Sequence, residues 1–97
     1  MYVRIVHPTI PADKVEAAAK HWASFMSERA RSNPMLERGF MAATADRSSV
    51  VAVTIWKQLP DPDASQKMRE EVMAQMQQFA SGGMPPMDEF EVLAEIK

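Results

Sequence analysis

The stretch Val50-Val51-Ala52-Val53-Thr54-Ile55-Trp56-Lys57 (VVAVTIWK) decides the fold. β-branched and aromatic residues dominate it, and such residues suit a pleated surface. Val51, Val53 and Ile55 point to one side, and Val50, Ala52 and Trp56 to the other. A strand apolar on both sides belongs in a sheet with both faces covered. Just upstream, Asp46-Arg47-Ser48-Ser49 is a polar turn, and residues 40–45 (FMAATA) form a weaker strand. Strand, short turn and strand read as a hairpin.

Downstream, Leu59-Pro60-Asp61-Pro62-Asp63 leads into a helix that Asp61 or Asp63 can cap, with Pro62 near its first turn. Ser65, Met68, Val72, Met76 and Phe79 form its stripe, and Ser81-Gly82-Gly83 ends it. After the stiff connector Met84-Pro85-Pro86-Met87, residues 89–97 (EFEVLAEIK) alternate as a half-buried strand. Phe90, Val92, Ala94 and Ile96 take one side of it, and the charged residues take the other. Toward the N-terminus, residues 11–31 form a helix. Its stripe of Val15, Ala18, Ala19, Trp22, Phe25, Met26 and Arg29 centres on Trp22. Ser32-Asn33-Pro34 stops it, because Pro pushes the preceding residue out of helical geometry. Residues 2–7 (YVRIVH) are the first strand.

The order is strand, helix, strand, strand, helix, strand. It predicts an α+β, ferredoxin-like βαββαβ domain: a four-stranded antiparallel sheet with two helices on one face. The other face then needs a cover, and a second copy of the chain in a homodimer supplies it.

Composition agrees with one domain over residues 1–97: 46% of residues are hydrophobic, 25% are charged, and Cys is absent. The lack of Cys removes disulfides, thiolate metal sites and cysteine nucleophiles, and fits a cytoplasmic setting. MYVRIVHPTI carries no signal-peptide pattern, and no apolar run is long enough to span a membrane. Net charge is −2 with the signs interspersed, so neither nucleic acid nor a membrane is an expected partner.

The element order, the strand VVAVTIWK running straight into a helix, Trp56 at its end, and the Gly39-Phe40 step carry a resemblance. The chain resembles the antibiotic biosynthesis monooxygenase-like domains of the dimeric α/β-barrel superfamily over nearly its whole length. The resemblance implies that two sheets pair into a dimeric α/β barrel, with a pocket between sheet and helices in each subunit. It also implies oxidation of flat, electron-rich aromatic substrates by molecular oxygen with no cofactor, neither metal nor flavin. Haem-degrading members carry an Asn in the first strand and a His on the second helix. Here the only Asn is Asn33, and residues 64–81 hold no His.

Several residues are candidates for the site. Trp56 can wall a pocket and donate its indole N–H, or anchor an interface. His7, on the side of Val3 and Ile5, and His21, beside Trp22 at the stripe edge, are the candidate bases, since imidazole titrates near neutral pH. Each can instead be a surface residue bonded to a neighbour. No metal site is expected, because the two His residues lack ligand spacing. Trp22 and Phe25 would line the pocket from the first helix. Arg4 can bind an anionic or phenolate substrate, or pair with Glu91 or Glu95 across the sheet. The nine Met residues are core fillers or adaptable pocket walls. The expected function is a cofactor-independent monooxygenase acting on a flat aromatic small molecule. The alternative is a non-catalytic dimeric module that binds an apolar ligand.

Overall fold

The computed structural model describes residues 1–97. β1 (Tyr2–Val6) is followed by a short 3₁₀ turn, Ala12–Lys14, that feeds α1 (Val15–Ser32). β2 (Leu36–Ala43) and β3 (Val50–Trp56) form the hairpin, α2 (Pro62–Met76) follows, and β4 (Met87–Glu91) completes the sheet. The four strands lie in the order β2-β3-β1-β4, and every neighbouring pair is antiparallel. The ferredoxin-like plan is therefore the fold of this chain. VVAVTIWK occupies an interior position between β2 and β1.

Local chemistry explains the boundaries. Asn33 is extended ahead of Pro34, and its Oδ1 accepts from the Met35 N–H, which turns the chain from α1 into β2. Of the two capping candidates, Asp61 takes the role: its carboxylate accepts from the Ala64 N–H at 2.8 Å, and Pro62 stands at the first helical position. In the hairpin turn, the Asp46 carboxylate accepts from the Ser48 hydroxyl, the Ser48 N–H and the Thr44 hydroxyl. Those bonds, led by the Ser48 hydroxyl, hold its pKa down to about 2.

Four boundaries differ markedly from the sequence reading. α1 begins at Val15 rather than residue 11, because Ala12–Lys14 forms a separate 3₁₀ turn ahead of it. β2 starts at Leu36 rather than Phe40, because an irregularity between Leu36 and Arg38 lets the strand restart its pairing opposite Trp56. α2 ends at Met76, and the chain makes a further turn before Gly82 and Gly83, which take positive φ angles of 85° and 74°. β4 covers Met87–Glu91 instead of 89–97. Its ladder with β1 closes where the Val92 N–H donates to the Met1 carbonyl. Beyond that bond Leu93 and Ile96 meet no neighbouring strand, and Leu93 is 89% exposed.

The core lies between the sheet and the helices. Trp22 and Met26 of α1 pack with Leu36, Val50, Ala52 and Trp56 of the sheet. Gly39 sits opposite Thr54, and a Cβ there would meet the Val53 carbonyl at 2.9 Å and the Trp22 ring at 3.3 Å. A hydrogen at this position is what lets the indole settle on the sheet. α2 contributes one buried residue, Met76, and Arg29 of α1 pairs with Glu71 on it. The sheet's other face presents Val3, Ile5, Val53 and Ile55, flanked by exposed Phe40 and Phe90.

Candidate functional site

The strand period of two sends Tyr2, Arg4 and Val6 of β1 toward the helices, opposite Trp56, Thr54 and Ala52 of β3. Because α2 stands off from this surface, a cavity of about 270 Å³ opens between them. Trp22 and Met26 of α1 and Met41 of β2 form one part of its wall, and Met68, Val72 and Met76 of α2 another. The segment from Ala80 to Pro85 closes it. Seven of the nine Met residues line it, so most of the methionine serves one deformable apolar wall.

Trp56 is 1% exposed, and its indole N–H donates to the Thr54 hydroxyl at 2.8 Å. The ring is thus a fixed wall whose one donor is engaged within the protein. Arg4 is the one buried charged residue. Its guanidinium lies 5.5 Å from the Trp56 ring centre, a cation–π arrangement. Nε donates to Glu89 Oε2 at 2.8 Å, and Nη2 donates to the Ser65 hydroxyl at 2.8 Å. The partner is Glu89 rather than Glu91 or Glu95, because Glu89 is directly opposite Arg4 while Glu91 is opposite Tyr2.

Arg4, Trp22 and Trp56 come together at this cavity. The other three candidates lie elsewhere. His7 follows Val3 and Ile5 onto the sheet's open face, where Nε2 lies 2.9 Å from Asp88 Oδ2. His21 bridges the two helices, with Nε2 3.0 Å from Gln75 Oε1 and its ring tilted against Phe79. Phe25 packs on the core beneath the Arg29 guanidinium, 5.3 Å away. None of these three lines the cavity.

Five polar residues of the wall were not among the expected site residues: Thr9, Thr54, Arg69, Gln77 and Ser81, of which Thr54 and Arg69 matter most to its chemistry. Thr54 hid inside an apolar strand, yet it shares the parity of Ala52 and Trp56. Arg69 was not singled out in the sequence. Its spacing is nonetheless four residues from Ser65, three from Val72 and seven from Met76, which is the helical pattern of a shared face. Arg69 Nη2 donates to the Pro85 carbonyl at 3.2 Å and ties α2 to the closing segment. A second cleft, of about 610 Å³, flanks α1 at β2 and is lined by Lys20, Ala23, Arg38 and Phe40 among others. It is the larger, but it lacks the buried Arg4 and the Trp56 wall, so the chemistry concentrates in the first.

No family model and no curated protein matches the sequence. Solved structures do match it. A candidate antibiotic biosynthesis monooxygenase from Nitrosomonas europaea superposes with a TM-score of 0.70 at 21% identity, covering 97% of this chain and 100% of that one. One from Chloroflexus aurantiacus gives 0.64 at 14% identity, covering 99% and 96%. A variant of SnoaB, a cofactor-independent oxygenase from Streptomyces nogalater, gives 0.58 at 15% identity, covering 98% and 93%. The fold of this chain is that of the antibiotic biosynthesis monooxygenase-like structures.

Proposed function

We propose that this chain is a cytoplasmic, homodimeric oxygenase that oxidises a flat, electron-rich aromatic molecule with O₂ and no bound cofactor. The observation that carries the reading is the Met-lined cavity, with two indole walls and a buried guanidinium, on a fold shared with a cofactor-independent oxygenase. Flat apolar walls suit an aromatic ring system, and a guanidinium stabilises the anion of an ionised substrate. That anion is the electron donor to O₂. In the overall reaction a ring-flanked CH₂ becomes C=O, one oxygen atom enters the product, and the other leaves as water with the two hydrogens. The protein's task is to bind, orient, hold the charge and exclude water. Trp22 and Trp56 are the walls and Arg4 is the anion-holding residue. The open sheet face, with Val3, Ile5, Val53, Ile55, Phe40 and Phe90, is the surface on which a second copy packs.

The test is O₂ uptake by metal-stripped protein supplied with anthrones, hydroquinones and other oxidisable phenols, each beside a protein-free control. Protein-dependent uptake that survives chelation supports the proposal. Ligand-induced thermal stabilisation without uptake across that panel favours the non-catalytic binding module.

A further inference from the structure

The cavity wall carries two guanidinium groups and no carboxylate, imidazole or lysine. Their charges are compensated unequally. Arg4 is matched by Glu89, so that pair is neutral. Its Nε and Nη2 are occupied by Glu89 and Ser65, while Nη1 has no hydrogen-bond partner in the protein and is not sealed from solvent. Arg69 is half-buried and donates to a backbone carbonyl, that of Pro85, and it makes no ion pair. The cavity therefore holds one uncompensated positive charge. A neutral ligand filling it would strip water from that charge and return nothing, whereas a ligand with one negative group would neutralise it.

Two more observations narrow the ligand. With no carboxylate or imidazole in the wall, no side chain there is suited to take a proton from a weakly acidic substrate near neutral pH. A ligand that arrives already ionised has no need of one. The volume of about 270 Å³ is less than twice that of a cavity of about 150 Å³ that accepts one benzene. That is room for about two fused rings.

We infer that this cavity selects an aromatic monoanion of about two fused rings, a carboxylate or an acidic phenolate. Arg69 is the specificity-determining residue, and Arg4 Nη1 is the second donor. The inference rests on the reading of this cavity as the ligand site. Arg69 also ties α2 to Pro85, so the charge that recognises the anion is anchored to the segment that closes the cavity.

Isothermal titration of the full chain with 2-naphthoate and with its neutral isostere 2-naphthamide tests this. The carboxylate should bind at least about tenfold more tightly, the range of a hydrogen bond to a charged group. Arg69→Met keeps much of the apolar stem and should abolish the preference, because the carboxylate weakens while the naphthamide, no longer desolvating a charge, binds at least as tightly as to the parent. Arg69→Gln serves the same purpose if the Met variant does not fold. Glu89→Gln leaves Arg4 uncompensated and should widen the preference, a change that a purely structural role for these residues would not produce. Equal affinity for the two probes, or a preference that survives loss of Arg69, overturns the inference. Binding of neither probe overturns it together with the cavity reading. A clear anion preference in a protein that consumes no O₂ with any phenol upholds the inference and defeats only the oxygenase proposal.

Discussion

Arg4 and Glu89 should respond unequally to removal, although they form one ion pair. The Arg4 side chain is 9% exposed and that of Glu89 is 41% exposed. In Arg4→Met, the carboxylate left behind is already partly in water and rehydrates. The losses are the bond to Ser65 and the contact with Trp56, set against a replacement that keeps most of the apolar volume. That comes to about 1 kcal/mol. In Glu89→Ala, the group left behind is a buried guanidinium with no counter-charge. Breaking one side of a fully buried pair costs about 3–5 kcal/mol. The cavity gives Arg4 some access to water, and its Ser65 bond remains, which reduces the cost to about 2–3 kcal/mol. At this chain length each kcal/mol moves the melting temperature by about 4–8 °C. The expected falls are thus about 5 °C for Arg4→Met and about 10–20 °C for Glu89→Ala. Urea unfolding at one fixed protomer concentration checks this through the midpoint, with the slope required to stay constant. The double variant should be more stable than Glu89→Ala alone, because it also removes the orphaned charge. A larger loss for Arg4→Met than for Glu89→Ala, or a double variant weaker than both, would refute the reasoning.

Gly39→Ala should destabilise by about 1–2 kcal/mol, since the new methyl meets the Val53 backbone at 2.9 Å, offset in part by the stiffer unfolded chain; thermal melting checks it, and an unchanged midpoint would mean that the strand backbone at Val53 shifts at little cost. The Asp46 carboxyl, held at about 2, lies below its ordinary value, so its contribution to the hairpin is full above about pH 5 and fades as pH falls through 2. The stability gap between the parent and Asp46→Asn should therefore narrow on acidification, followed by urea midpoints at successive pH values. For the proposed homodimer, Val53→Arg, which puts a charge amid the open apolar face, should halve the mass seen by light scattering; an unchanged dimer mass would place the interface elsewhere. His7→Ala should leave turnover on any substrate found within about twofold, because His7 lies outside the cavity.

The element order was legible because hydrophobic period is a local property. VVAVTIWK announced a strand apolar on both faces, the stripe around Trp22 announced α1, and Asn33-Pro34 announced its end. Segment ends were less legible wherever pairing set them. Residues 92–97 alternate as a strand should, yet alternation cannot say whether a partner strand extends that far, and in this chain the ladder closes at Val92.

The cavity illustrates the same division. Its apolar character was in the sequence, as Trp56, Trp22 and an excess of Met. Its charge was not. His7 and His21 drew attention as the only imidazoles, but strand parity carries His7 to the open face and helix packing turns His21 toward Gln75. Arg69 drew none, and it reached the wall because α2 stands off the sheet and presents Ser65, Met68, Arg69, Val72 and Met76 along one side. Composition and periodicity thus determined the layers and the apolar lining, because burial of a face is encoded every two or every 3.6 residues. Which charges meet inside those layers was decided by strand register and by the spacing between helix and sheet. Those are relations between residues far apart in the chain, and local pattern carries no record of them.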